Sequence, residues 1–131
     1  MPDAYEFDLA VRYYETDAQG HVHHSNFLRY FELARVEMLK ARGHEYADLE
    51  ADGVLLVVSR ATCRYHRPAR YGDTLRVLIR TERARGARID HVYELRRNDE
   101  LIAEGATTIA CVDRTGKICR LPAYLELPEA E

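Results

Sequence analysis

Asn26-Phe27-Leu28-Arg29-Tyr30-Phe31-Glu32-Leu33-Ala34-Arg35-Val36-Glu37-Met38-Leu39-Lys40-Ala41 is the one long stretch of this chain with helical periodicity. On a wheel of about 100° per residue, Phe27, Tyr30, Phe31, Ala34, Met38 and Ala41 fall within an arc of about 100°, and no charge interrupts it. That is the width of a stripe facing a core. Gly43 is a fitting stop, and Glu45 to Ala51 predict a short second helical turn before Asp52-Gly53.

On either side of this helix the pattern changes to period two. Tyr5 to Tyr14 reads as a strand, with Tyr5, Phe7, Leu9, Val11 and Tyr13 on one face and Glu6, Asp8 and Arg12 on the other. Beyond the helix come the apolar run Val54 to Val58 and alternation in Ala61, Cys63 and Tyr65. It continues in Leu75, Val77 and Ile79, in Ile89, His91, Tyr93 and Leu95, and from Leu101 to Val112. The separators Pro68 to Asp73, Arg85-Gly86, Asn98-Asp99 and Thr115-Gly116 are turn formers. Several strands exceed ten residues, and at about 3.3 Å per residue they are long enough to curve round one helix. The expected class is α+β: a long helix wrapped by a curved five-stranded antiparallel sheet, one domain over residues 1–131. No repeat or linker interrupts it, and the tail from Pro122 reads as frayed.

Composition narrows the function. At 131 residues, 47% hydrophobic and 31% charged, the chain holds no apolar run long enough for a membrane span. Its amino terminus, with Asp3, Glu6 and Asp8, lacks the shape of a signal peptide, which predicts a cytoplasmic protein. A formal net charge of −3 argues against nucleic acid as the main partner. The cations are seventeen Arg to two Lys, a bias that base composition or habitat explains as readily as phosphate recognition does. Cys63, Cys111 and Cys119, odd in number and without a close pair, read as reduced thiols.

Titratable groups crowd at one place, the loop from Tyr13 to Asn26, immediately ahead of the helix. A helix start leaves N–H groups unpaired and carries about half a positive charge, so it can polarise a carbonyl and hold an oxyanion. A carboxylate beside it, Asp17 or Glu15, could attack that carbonyl or take a proton from water. Asp17 is equally well suited to closing a turn with Ala18 to Gly20. His21, His23 and His24 lack a spaced second group of ligands, so no metal site is expected. His44, His66 and His91 read as surface or satisfied strand residues. Cys63 and His66, three apart on a strand, point to opposite faces and cannot form a nucleophile and base pair.

The run Arg12-Tyr13-Tyr14-Glu15-Thr16-Asp17-Ala18-Gln19-Gly20-His21-Val22, followed by Leu28 to Arg35, resembles the signature of the 4-hydroxybenzoyl-CoA thioesterase-like branch of the hot-dog fold superfamily. Tyr65, Pro68-Ala69-Arg70, Asp73 and Arg120-Leu121-Pro122 agree with it, so the likeness spans almost the whole chain. The resemblance implies the hot-dog fold and hydrolysis of acyl-CoA thioesters to free acid and CoA, with Asp17 as nucleophile or general base. It places the carbonyl-polarising backbone amide on His24. Tyr14 and the His24 side chain match active-site positions in the branch closest to the cell-envelope-associated acyl-CoA thioesterases.

The resemblance further implies a site between subunits, with a dimer as the minimum unit and a tetramer common. It implies no cofactor beyond the CoA of the substrate. Ser59, Arg60 and Arg88 are candidate contacts to substrate or CoA; Arg88 could bind a phosphate or simply be a solvated turn residue. His23 and the turn Arg85-Gly86-Ala87-Arg88 depart from the family pattern. A non-catalytic acyl-CoA or acyl-carrier-protein binding module is the alternative, and a hydratase finds little support in the Asp17 loop.

Overall fold

A computed structural model describes residues 3–128. Five strands, β1 (Ala4–Ala10), β2 (Leu55–Tyr65), β3 (Thr74–Arg85), β4 (Arg88–Arg97) and β5 (Glu100–Val112), form one sheet in the order β1-β3-β4-β5-β2, antiparallel at every pairing. The helix α1 (Ser25–Ala41) lies against one face of it, and a short helix α2 (Tyr46–Ala51) follows. This is the α+β hot-dog arrangement expected above.

The apolar stripe of α1 packs as its periodicity requires. Phe27, Tyr30, Phe31, Ala34 and Met38 are buried, and the Phe31 ring stacks on Tyr93 of β4 at 4.4 Å. The buried face is wider than the wheel suggested, since Leu39 and Arg35 are buried too, whereas Ala41 at the last turn is exposed. Arg35 is tolerated there because its guanidinium donates to the Tyr93 hydroxyl at 3.0 Å. Gly43 ends the helix with φ of 88°: its N–H bonds to the Lys40 carbonyl and that of His44 to the Leu39 carbonyl, the paired bonds of a Schellman stop.

Two boundaries differ from the sequence reading. β1 ends at Ala10, not at Tyr14, and Tyr13–Glu15 form a 3-10 turn in which Tyr13 is exposed instead of facing the core. The local reason is the Glu15 carboxylate, which folds back to accept the Arg12 N–H at 2.8 Å. The tail is also more ordered than expected. Ala123–Leu125 form a 3-10 turn, Leu121 and Leu125 are buried, and the Leu127 N–H bonds to the Ala84 carbonyl at 2.9 Å.

Candidate active site

The loop ahead of α1 is built round Glu15 and Asp17, whose carboxylates are put to opposite uses. Glu15 is buried and turned inward: Oε1 accepts from the Arg12 N–H and, at 3.0 Å, from the Tyr30 hydroxyl. Its backbone carbonyl accepts from the Asn26 side chain at 2.8 Å and from the His23 N–H at 2.8 Å. Glu15 thereby ties the loop to the first turn of α1. Burial and the Glu15 hydrogen bond push the Tyr30 hydroxyl above its ordinary range, so it stays a proton donor to that carboxylate.

Asp17 faces outward and is exposed. Its Oδ1 accepts from the Gln19 N–H at 2.9 Å and the His21 N–H at 3.2 Å, while its backbone N–H and carbonyl bond to His21 and Gly20. The Gln19 N–H, with smaller help from His21 and His23, holds the carboxyl below the usual carboxylate range. The turn-forming reading of Asp17 and the reactive one are therefore compatible: Oδ1 fixes the loop, and no protein donor among the described residues engages Oδ2.

The helix start supplies the second feature. The Asn26 and Phe27 N–H groups bond to the His23 and His24 carbonyls, and the Ser25 N–H meets His23 Nδ1 at 3.3 Å. Among the described residues the His24 N–H has no acceptor. The His24 carbonyl accepts from the Tyr65 hydroxyl at 3.2 Å, Tyr65 stacks on Phe27 at 5.2 Å, and the His24 ring stacks on His23 at 4.3 Å. Tyr65 thus orients the residue that carries the unpaired amide. The sequence named Tyr65 in the alternation of β2 and in the family pattern; its spacing carries no sign of this bond, because the contact spans distant parts of the chain.

The loop is braced from below. His21 bridges to Arg70, the Val22 N–H bonds to the Ala69 carbonyl at 2.7 Å, and Asp73 in the same turn binds Arg97 at 2.7 Å. Tyr14, three-quarters exposed, stands on the 3-10 turn at the rim. Among the described residues, no three His, Cys, Asp or Glu side chains converge in a way that could hold a metal ion.

Three of the expected site residues lie elsewhere in the chain. Ser59 is the extra residue of a bulge in β2 and donates to the Thr108 carbonyl at 3.1 Å; Arg60 follows it, exposed. Arg88 pairs with Asp90 at 3.0 Å. The Tyr65 end of β2 is opposite Ala103 and Arg88 is opposite Ala110, so Arg88 is offset by seven residues of β5, about 23 Å along the strand, from the Tyr65 that contacts the helix start. A depression of about 830 Å³ on the outer face of the sheet, lined by residues such as Glu6, Arg64, Leu78 and Val92, includes no residue of the Asp17 loop and is not part of this site.

Residues 11–127 match the thioesterase-like superfamily. The acyl-CoA thioester hydrolase YbgC of Escherichia coli O6:H1 is 30% identical over 110 residues, 83% of this chain and 82% of that protein. The crystal structure of a protein from Aquifex aeolicus superposes with a TM-score of 0.87 at 35% identity, covering 92% of this chain and 94% of that one. The DHNA-CoA thioesterase of Staphylococcus aureus has a TM-score of 0.87 at 29% identity, over 92% of this chain and 83% of its own.

Proposed function

The chain belongs to the thioesterase-like superfamily and is an acyl-CoA thioesterase, and from that premise we propose that Asp17 and the His24 amide carry the hydrolysis. The observation that supports this is the pairing on one loop of an ionised, half-engaged carboxylate with a helix start whose His24 N–H is unengaged. The thioester carbonyl oxygen would take a hydrogen bond from that N–H, which strengthens as negative charge develops on it. Asp17 either attacks the carbonyl carbon, expelling CoA thiolate and leaving an anhydride for water to open, or removes a proton from the attacking water. In both routes one water is consumed, and free acid and CoA thiol leave. No group besides the substrate's own CoA is needed, since a thioester is already activated.

The site reads as shared between two subunits. β2 is an edge strand of eleven residues, and its Val57 and Val58 are about half exposed. Such an edge is a template for pairing. Two β2 edges joined antiparallel about a two-fold axis bring the Tyr65 end of one strand to the Leu55 end of the other. Arg88 lies at that second end, since Arg88 and Val57 both face Ala110. Ser59, Arg60 and Arg88 of the partner subunit would then approach Asp17, with Arg88 offered to a CoA phosphate. A tetramer would use the outer sheet face, where Leu78, Val92 and Ala106 are ringed by pairs such as Arg76–Glu6 and Arg80–Glu82.

The test is a panel of short, long and aromatic acyl-CoAs assayed with a thiol reagent, wild type against Asp17→Asn. Turnover by the wild type that Asp17→Asn loses is the expected result. Equal turnover removes Asp17 from its role, and binding without turnover by the wild type makes the protein a carrier module instead.

A further inference from the structure

Two cysteines that the sequence keeps apart are brought together by the fold. After β5 the chain reverses, Val112 bridges to Ile118, and the Cys119 N–H bonds to the Cys111 carbonyl at 2.9 Å. Cys111 and Cys119 are therefore directly opposed, and their Sγ atoms lie 3.4 Å apart as free thiols. Only one bond joins the pair, since the Cys111 N–H bonds to the Ala87 carbonyl, but opposed residues of an antiparallel ladder have Cα atoms about 4.5–5.5 Å apart, inside the range that a disulfide spans. Closing the sulfurs to about 2.05 Å then needs side-chain torsion and little backbone movement. Cys63 stands apart: it is opposite Gly105, six residues along β5 from Cys111, or about 20 Å.

We propose that Cys111 and Cys119 form a reversible intramolecular disulfide that fastens the carboxyl-terminal segment to β5. That segment matters to the fold because Leu121 and Leu125 are buried in one apolar cluster with Leu39, Leu49, Ile89 and Ile109. Cys111 is fully buried and Cys119 partly accessible, so Cys119 meets the oxidant first. The oxidant is a low-molecular-weight disulfide. The Cys119 thiolate attacks one of its sulfurs and expels a thiol; the Cys111 sulfur then attacks the mixed disulfide at Cys119 and expels the second. Two electrons pass to the oxidant, and the two cysteine protons end on the two released thiols. Burial and the Cys119 sulfur push the Cys111 thiol up to about 12, in keeping with its acting second.

The experiment incubates the full chain with glutathione disulfide, blocks free thiols with N-ethylmaleimide and measures intact mass, linked peptides and the unfolding temperature. The expected product has lost two hydrogens, holds a 111–119 peptide pair, leaves Cys63 alkylated and melts higher by roughly 5 °C or more, reversibly with dithiothreitol. Cys119→Ser abolishes the link and the shift, whereas Cys63→Ser keeps both. Three alkylated thiols, glutathione retained on Cys119 with Cys111 still alkylated, or a bridge through Cys63 overturns the proposal.

Discussion

At Asp17 a single oxygen atom holds the loop, which makes a clean substitution possible. The amide introduced by Asp17→Asn keeps an Oδ1 to accept the Gln19 and His21 N–H groups but has neither negative charge nor basicity. Asp17→Asn should therefore lower kcat by about 10²- to 10⁴-fold while leaving the unfolding temperature unchanged, measured by steady-state kinetics and thermal melts on the same sample. His91 offers the opposite case, a titratable group that is structural. Burial first, then the Arg35 and Arg42 charges, push its imidazole down to about 3, and it sits 3.1 Å from the Thr81 hydroxyl. The unfolded chain takes up a proton near pH 6.5 while the folded ring stays neutral until about pH 3. Stability should fall as pH drops through that window, at up to about 1.4 kcal/mol per pH unit. Urea unfolding at pH 7 and pH 5 should show that fall in the wild type and a shallower one in His91→Gln.

Between elements, α1 meets β5 at Gly105, a residue with no side chain. A Cβ on Gly105 would come within 2.4 Å of the Phe31 ring and 2.5 Å of the Thr62 carbonyl oxygen, so the ring occupies the space a side chain would need. Gly105→Ala should destabilise the fold by about 2–3 kcal/mol in urea titrations. Trimming the ring in Phe31→Leu should restore little, because the Thr62 backbone still blocks the site. These contacts explain what could be read from the residues. The α1 stripe from Phe27 to Met38, the Gly43 stop and the hairpin turns depend on neighbours within a few positions and appear where the local pattern places them, whereas Ala41 and the burial of Arg35 and Leu39 do not follow it. The end of β1 does not, because alternation runs on through Val11 and Tyr13 while the Arg12 to Glu15 bond turns the chain. The assignment of Glu15 to the inside and Asp17 to the outside depends on Tyr30 and Asn26, whose positions relative to the loop only the fold fixes. Leu125 escapes a sequence reading for the same reason: its burial depends on distant residues, among them Leu39 of α1, Leu49 of α2 and Ile89 of β4.

For the molecule as a whole, the edge at β2 decides whether one chain is enough. Val57 and Val58 are 43% and 50% exposed on a strand whose outer backbone groups have no neighbour among the described residues. Val58→Lys places a charge on that edge and should convert a dimer to monomer in sedimentation, with activity falling although the Asp17 loop is untouched. A sharper test follows from the offset of about 23 Å along β5 between Arg88 and the Tyr65 end of β2 within one chain. If Arg88 serves the partner's Asp17, then Asp17→Asn and Arg88→Ala subunits are each defective alone, Arg88→Ala through a raised KM for acyl-CoA. In a mixed dimer one site collects both defects and the other collects none. Co-expressed in equal amounts, half the dimers are mixed, and about a quarter of all sites regain wild-type kinetics. A mixture whose activity is only the average of its two parents would place Arg88 outside the partner's site and leave it as the solvated partner of Asp90.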